Sequence, residues 1–212
     1  MAVAPSLRTA AWLVSLAALA GLQGCAALYF LGGKGSQPAL YTLPKTARIL
    51  VFVDPRANVT VPVDFPSALG EKIANHLYKY GVADKFVAQE RLTALRRDQQ
   101  QFSRMGIADV AKATDADVVI YVDLISFQAP SISADSMAEG SAHVLVKVLG
   151  PDGARLWPKD SPTGIETAAQ VEPALTSDRS VPAIITTLSD MLSIRVGRMF
   201  QSYDKEDSVL SR

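Results

Sequence analysis

Ile107-Ala-Asp-Val-Ala-Lys-Ala-Thr-Asp-Ala-Asp-Val-Val-Ile-Tyr-Val-Asp123 changes its period partway along. Ile107, Val110 and Ala111 share one face at helical spacing, so Ile107 to Thr114 reads as a short helix. Val118 to Val122 is an unbroken apolar, mostly β-branched run, the pattern of a strand covered on both faces. Leu124, Ile125 and Phe127 lengthen that strand. Asp115, Asp117 and Asp123 flank it and match no calcium loop, so they read as a turn and strand ends. A helix feeding a doubly buried strand implies a sheet with helices on its faces.

Towards the amino end the same grammar recurs. Ile49 to Val53 is a second aliphatic run, closed by Asp54-Pro55, and is expected to be a central strand. Phe65, Leu69, Ile73, Leu77 and Tyr80 then repeat at helical spacing, with Gly81 as the stop. Phe86-Val87 is a short strand candidate. Gln89 to Phe102 reads as one polar helix with Leu92, Leu95 and Phe102 inward; its solvated face carries Arg91, Arg96, Arg97, Asp98 and the glutamines Gln99, Gln100 and Gln101.

Towards the carboxyl end a polar stretch, Gln128 to Gly140, precedes Ala142 to Leu149, in which Ala142, Val144, Val146 and Val148 alternate with His143 and Lys147. Gly150-Pro151-Asp152-Gly153 is a turn returning into Arg155-Leu156-Trp157. Pro158 to Pro173 holds three prolines and reads as a loop or irregular edge. A wide apolar stripe from Val181 through Ile184, Leu188, Leu192 and Val196 to Phe200 and Tyr203 predicts a closing helix buried against the sheet or a partner. The fold class expected is α/β (α+β): one domain, a mixed sheet with helices packed on it, and a C-terminal amphipathic helix closing the core.

The first residues carry an address. Arg8 precedes an apolar run from Ala10 to Leu22, the length of a signal-peptide h-region. Leu22-Gln23-Gly24-Cys25 follows it and resembles the lipobox of bacterial lipoproteins, with Gln23 departing from the small or aliphatic residue usual there. The resemblance implies cleavage between Gly24 and Cys25 and a diacylglycerol, with acyl chains such as palmitate, on the Cys25 thiol. Cys25 is the sole cysteine, so lipidation leaves no thiol for a disulfide, metal cluster or nucleophile. Counting on past Cys25 to Leu31 gives the length of a membrane-spanning helix, and an uncleaved anchor is the alternative. Residues 32–47 mix Gly, Ser and Pro and read as a tether. The organisation expected is therefore a signal peptide over 1–24, a lipidated terminus and flexible tether over 25–47, an α/β domain over 48–203, and a frayed terminus over 204–212.

The Ile49–Asp54 strand, the Phe65–Gly81 helix and above all the Ile107–Asp123 stretch resemble the α/β domain of several envelope lipoprotein families. These are the curli secretion-channel lipoproteins, the activators of penicillin-binding proteins, and the amino-terminal domain of the Tol-Pal translocation protein. The combination of lipidated cysteine and compact α/β structure is also similar to small lipoproteins that help assemble lipopolysaccharide. What these resemblances imply in common is binding work in the cell envelope, facing the periplasm, with an envelope protein or glycan as partner besides the membrane lipid at Cys25. Ala26 after the cysteine resembles the outer-membrane sorting pattern. Insertion of pore-forming hairpins is disfavoured, because Gln128 to Gly140 is shorter and more polar than transmembrane strands require.

Chemistry-bearing constellations are sparse. Apolar residues make up 49 % of the chain and charged residues 20 %, a globular composition rather than a disordered one. Removing residues 1–24 leaves 20 basic against 21 acidic residues, a net of −1. With neither a basic excess nor a clustered basic face evident, no nucleic-acid partner is expected. His76 and His143 have no second histidine at ligand spacing, so no metal site is expected. Gly33-Lys34-Gly35-Ser36 fails the phosphate-loop spacing, and Glu139 to His143 contains no nucleophile elbow. No catalytic residue and no cofactor is assigned. Two other readings stay open: an envelope hydrolase using strand-end carboxylates such as Asp54 and Asp123, and an assembly module that oligomerises through the closing helix.

Overall fold

The computed structural model describes residues 36–128, 140–171 and 180–204. Gly24 and Cys25, most of the Gln128–Gly140 stretch and the tail after Asp204 lie outside the described residues. The chain divides into two units. In one, β1 (Ser36–Gln37) pairs antiparallel with β8 (Tyr203–Asp204). The other, Pro38–Ser202, holds everything else.

Within Pro38–Ser202 the elements are β2 (Arg48–Pro55), α1 (Phe65–Lys79), β3 (Lys85–Phe86), α2 (Gln89–Arg97), α3 (Gln99–Phe102), α4 (Ile107–Thr114), β4 (Val118–Gln128), β5 (Gly140–Leu149), β6 (Arg155–Trp157), β7 (Ile165–Val171) and α5 (Val181–Gly197). The strand order is β3-β2-β4-β5-β6, and β7 also pairs with β5. β3, β2 and β4 run parallel, while β5 is antiparallel to β4, β6 and β7. The fold is a mixed-sheet α+β domain.

Each sheet face has its own core. Val51, Val53, Ile120, Val122, Val144 and Val146 point towards Leu69, Ile73 and Leu77 of α1 and Ile184, Leu188, Leu192 and Val196 of α5. Leu50, Phe52 and Val119 point the other way, onto Leu92 of α2 and Val110 and Ala111 of α4. This explains why β2 and β4 read as continuous apolar runs whereas β5, with the burial alternating along it, does not. Burying one aliphatic side chain of this size contributes roughly 1.5–3 kcal/mol. The stripe of α5 formed by Ile184, Leu188, Leu192 and Val196 is buried inside its own unit, while Ile185 and Met191 beside it are only partly buried.

The quoted aspartates are architectural. Asp115 ends α4 in the left-handed region, φ 57° and ψ 45°, a conformation that Asp tolerates better than most residues. Its carboxylate and its carbonyl both engage the Arg48 guanidinium. Asp117 accepts from the Arg48 backbone N–H at 2.8 Å and donates its own to the Arg48 carbonyl at 2.8 Å, fixing where β4 meets β2.

Four expectations change. The Gln89–Phe102 helix breaks at Asp98 (φ −89°, ψ 81°), whose carboxylate accepts from the Gln101 N–H at 2.9 Å and caps α3, as Asp favours caps over helix interiors. The Pro158–Pro173 segment contains the seven-residue strand β7, because its prolines leave Ile165 to Val171 free to pair with β5. The closing helix stops at Gly197, so Met199 and Phe200 are buried beyond it and Tyr203 belongs to the β1–β8 ladder. Of the segment expected as tether, residues 38–47 lie on the domain: Leu43 is 3 % exposed, Leu40 and Tyr41 both donate to the Met199 carbonyl, and the Tyr41 ring meets Trp157.

Candidate functional site

Parallel pairing puts Asp54, near the carboxyl end of β2, opposite Asp123, which lies mid-strand because β4 runs on to Gln128; both are on the face covered by α2 and α4. This is where ligand sites of open α/β sheets fall, so the disposition of these two carboxylates decides what the site can do. Asp54 accepts a 2.7 Å hydrogen bond from the Tyr121 hydroxyl. Asp123, 9 % exposed, accepts from both Nε and Nη2 of Arg56 at 3.0 and 2.8 Å, the bidentate fork of a guanidinium on a carboxylate. Hydrogen bonding to Asp123 holds the Arg56 pKa above its ordinary value. Burial, and then the Asp54 carboxylate, raise that of Tyr121, so the phenol stays protonated and donates across the physiological range.

Arg96 joins this cluster from α2. The sequence places it on a solvated face, but its side chain folds inward, over Phe52 at 5.3 Å and Phe102 at 5.7 Å, and Nη2 donates to the Val53 carbonyl at 2.6 Å. Burial lowers its pKa, with nearby Asp54 opposing. Its target explains its position. β3 pairs with β2 only at Arg48 and Ile49, leaving the rest of that edge without a strand. The edge carbonyls are satisfied in series: Ile49 by the Val87 N–H at 2.9 Å, Val51 by Gln89 Nε2 at 2.9 Å, and Val53 by Arg96. Gly70 makes room for this, since a Cβ there would sit 2.9 Å from the Gln89 amide. Side chains of α2 thus stand in for an edge strand and block the edge against another chain. Arg195 of α5 similarly donates to the Ala168 carbonyl of β7.

General acid–base chemistry needs a carboxylate free to exchange a proton with a substrate. Asp54 and Asp123 each hold a partner, and neither lines the clefts described. One cleft, of about 260 Å³, lies between α1 and α2 and includes Asp64, Ser67, Glu71, Glu90 and Arg97. The other, of about 360 Å³, includes Asp98, Gln101, Arg104 and Met105. His143 faces Glu166 at 3.4 Å, and His76 packs against Tyr80 with ring centroids 4.6 Å apart. Among the described residues no group of three His, Cys, Asp or Glu is placed to hold a metal ion, and no helix is long and apolar enough to cross a membrane. Arg56, Gln89 and the hydroxyl of Tyr121 were not singled out by sequence; Arg56, a cation two residues past a strand-end Asp, was the one legible signal.

The geometry defines a class: an α+β domain whose strand-end polar groups brace the sheet. No family model matches the sequence, and no curated protein does either. Among solved structures it is similar to the PelC dodecamer of Paraburkholderia phytofirmans (14 % identity, TM-score 0.44, covering 79 % of this chain and 96 % of that one). It is also similar to lipoprotein GNA1162 of Neisseria meningitidis (8 %, TM-score 0.43, 72 % and 98 %) and to the C-terminal domain of LpoB of Escherichia coli (14 %, TM-score 0.37, 62 % and 87 %). Several of these neighbours are described as lipoproteins. They transfer no residue role, and the fold stands on the chain's own sheet order.

Proposed function

We propose that the chain is a lipoprotein of the bacterial cell envelope, anchored through lipid on Cys25, whose α+β domain is a non-enzymatic binding or assembly module. The observation that carries this is the position of the only cysteine, directly after an h-region and Leu22-Gln23-Gly24. Engagement of Asp54 by Tyr121 and of Asp123 by Arg56 supports a binding role over a hydrolytic one. The partner is an envelope protein or glycan on the periplasmic side, and Ala26 favours the outer membrane. Each buried acyl methylene contributes about 0.8 kcal/mol, so several chains on one cysteine anchor durably.

Cys25→Ser tests the anchor. Labelled palmitate should appear on the wild-type chain and not on the variant, and the variant should leave the membrane fraction. Unchanged fractionation with no label on either protein overturns the lipoprotein reading. Crosslinking from intact cells tests the binding role, and recovery of no partner under several conditions counts against it.

A further inference from the structure

Four large apolar or aromatic side chains among the described residues stay more than half exposed: Leu40 at 54 %, Val63 at 93 %, Tyr78 at 64 % and Tyr80 at 56 %. Three of them gather at one end of the Pro38–Ser202 unit. α1 leaves the carboxyl end of β2 and runs back, so Tyr78 and Tyr80 lie at the amino end of the parallel strands. There α5 also finishes, with Gly197 against His76, which in turn packs on Tyr80. Leu40 joins the group through its N–H bond to the Met199 carbonyl at 2.8 Å.

Three exposed lysines stand at this end. Lys79 lies 5.8 Å from the Tyr80 ring, the Lys45 carbonyl accepts from Asp84 N–H, and Lys85 pairs with Arg48 in the strand register. Lys45, Lys79 and Lys85 are exposed, and none is in an ion pair among the described residues. Asp84 and Asp117 are exposed acids beside them, Asp117 holding the Arg48 backbone N–H, whereas Asp115 is taken by the Arg48 guanidinium.

The chain enters the domain at this same end. Pro38 follows Cys25 by thirteen residues, which span at most about 45 Å when fully extended. A lipid on Cys25 therefore tethers the domain by this end, and because that reach exceeds the length of β2, the side chains each end presents decide which one meets the membrane. Tyrosine rings and lysine stems suit the headgroup layer, with an apolar body and a polar tip. Lysines near an anionic surface are drawn to its phosphates, and tethering raises the effective concentration enough for weak contacts to close. We propose that this end is a membrane-contact face, with Leu40, Tyr78 and Tyr80 at headgroup depth and Lys45, Lys79 and Lys85 on the phosphates of anionic phospholipids. The proposal rests on the Cys25 anchor.

The test uses the full lipidated chain in vesicles of phosphatidylglycerol and phosphatidylcholine. A nitroxide is placed at Tyr80→Cys and, as reference, at Asn58→Cys in the exposed loop after β2. Accessibility to oxygen and to a water-soluble nickel complex is then read by power saturation. The ratio of oxygen to nickel accessibility should rise on vesicle binding at position 80 and stay unchanged at 58, and Lys45→Glu with Lys79→Glu and Lys85→Glu should reduce that rise. One label per chain and flotation with vesicles, but position 80 as water-accessible as 58, overturns the contact face alone. Two labels per chain and no flotation show Cys25 free, and overturn the anchor together with the face.

Discussion

Arg96→Met isolates the edge-guarding role of α2. Methionine keeps much of the stem that lies over Phe52 and Phe102 but removes the donor to the Val53 carbonyl and the charge over both rings. An acceptor left without its partner in a largely buried setting costs about 1–3 kcal/mol, and the lost cation–π contact about 0.5–1 kcal/mol. Against this, the variant no longer desolvates a guanidinium, a cost whose sign is visible in the lowered pKa of Arg96. The balance is a destabilisation of about 1–2 kcal/mol. With a urea m-value of about 2 kcal/mol/M, the midpoint followed by far-ultraviolet circular dichroism should fall by roughly 0.5–1 M. The freed edge should also make the variant associate with rising concentration in sedimentation velocity. Arg96→Lys, which can reach the carbonyl but cannot lie flat over the rings, should fall between the two. An unchanged midpoint for Arg96→Met, with no association, would refute the claim that this side chain completes the sheet.

Gly197→Ala should destabilise by about 1–3 kcal/mol, the usual cost of overpacking, because the new Cβ would lie well inside contact distance of the His76 ring. His76→Ala in the same chain should recover part of the loss in thermal melts, and an equal loss in both backgrounds would contradict the contact. Burial, followed in smaller part by the charges of Arg198 and Lys79 and opposed by Gln201, holds the His76 pKa below its ordinary value. The unfolded chain then binds more protons than the folded one, so stability rises with pH. The contribution is present above about pH 6.5, the unfolded value, and is lost as pH falls through it towards the folded value. His76→Gln should flatten that part of the stability profile relative to wild type, and parallel profiles would contradict the assignment.

Strand and helix positions in the middle of the chain were legible because β2 and β4 are buried on both faces, which leaves unbroken runs in Ile49–Val53 and Val118–Val122. β7 was not. Its Ala168 and Ala169 carry little β signal, and what holds it is pairing with β5 from Gly140 to Val146, a partner chosen by topology. The candidate carboxylates were legible by position, and their engagement was not. Tyr121 looks like one more apolar strand residue until the register shows its hydroxyl reaching Asp54. Arg96 looks solvated because a helical wheel does not reveal that β3 is two residues long and that an edge carbonyl awaits a donor. Composition and period report burial; they do not report which backbone groups the topology leaves unpaired.

Asp54, Tyr121, Asp123, Arg56 and Arg96 occupy the place where open sheets usually bind small molecules, and they satisfy one another and the strand ends. The β2 edge is closed by Gln89 and Arg96, and the apolar stripe of α5 is consumed in the core. Under the binding role proposed above, the surfaces left among the described residues are the two polar clefts along α1, α2 and α3 and the end where the chain enters. These are different chemistries: the clefts are lined by carboxylates, amides and arginines, whereas the entry end presents tyrosines and lysines that hold no ion pair among the described residues. A domain set with its Tyr78 and Tyr80 end on a lipid surface would turn the carboxyl ends of β2 and β4, with the loop around Val63, away from the bilayer, towards the side from which the proposed partner would come.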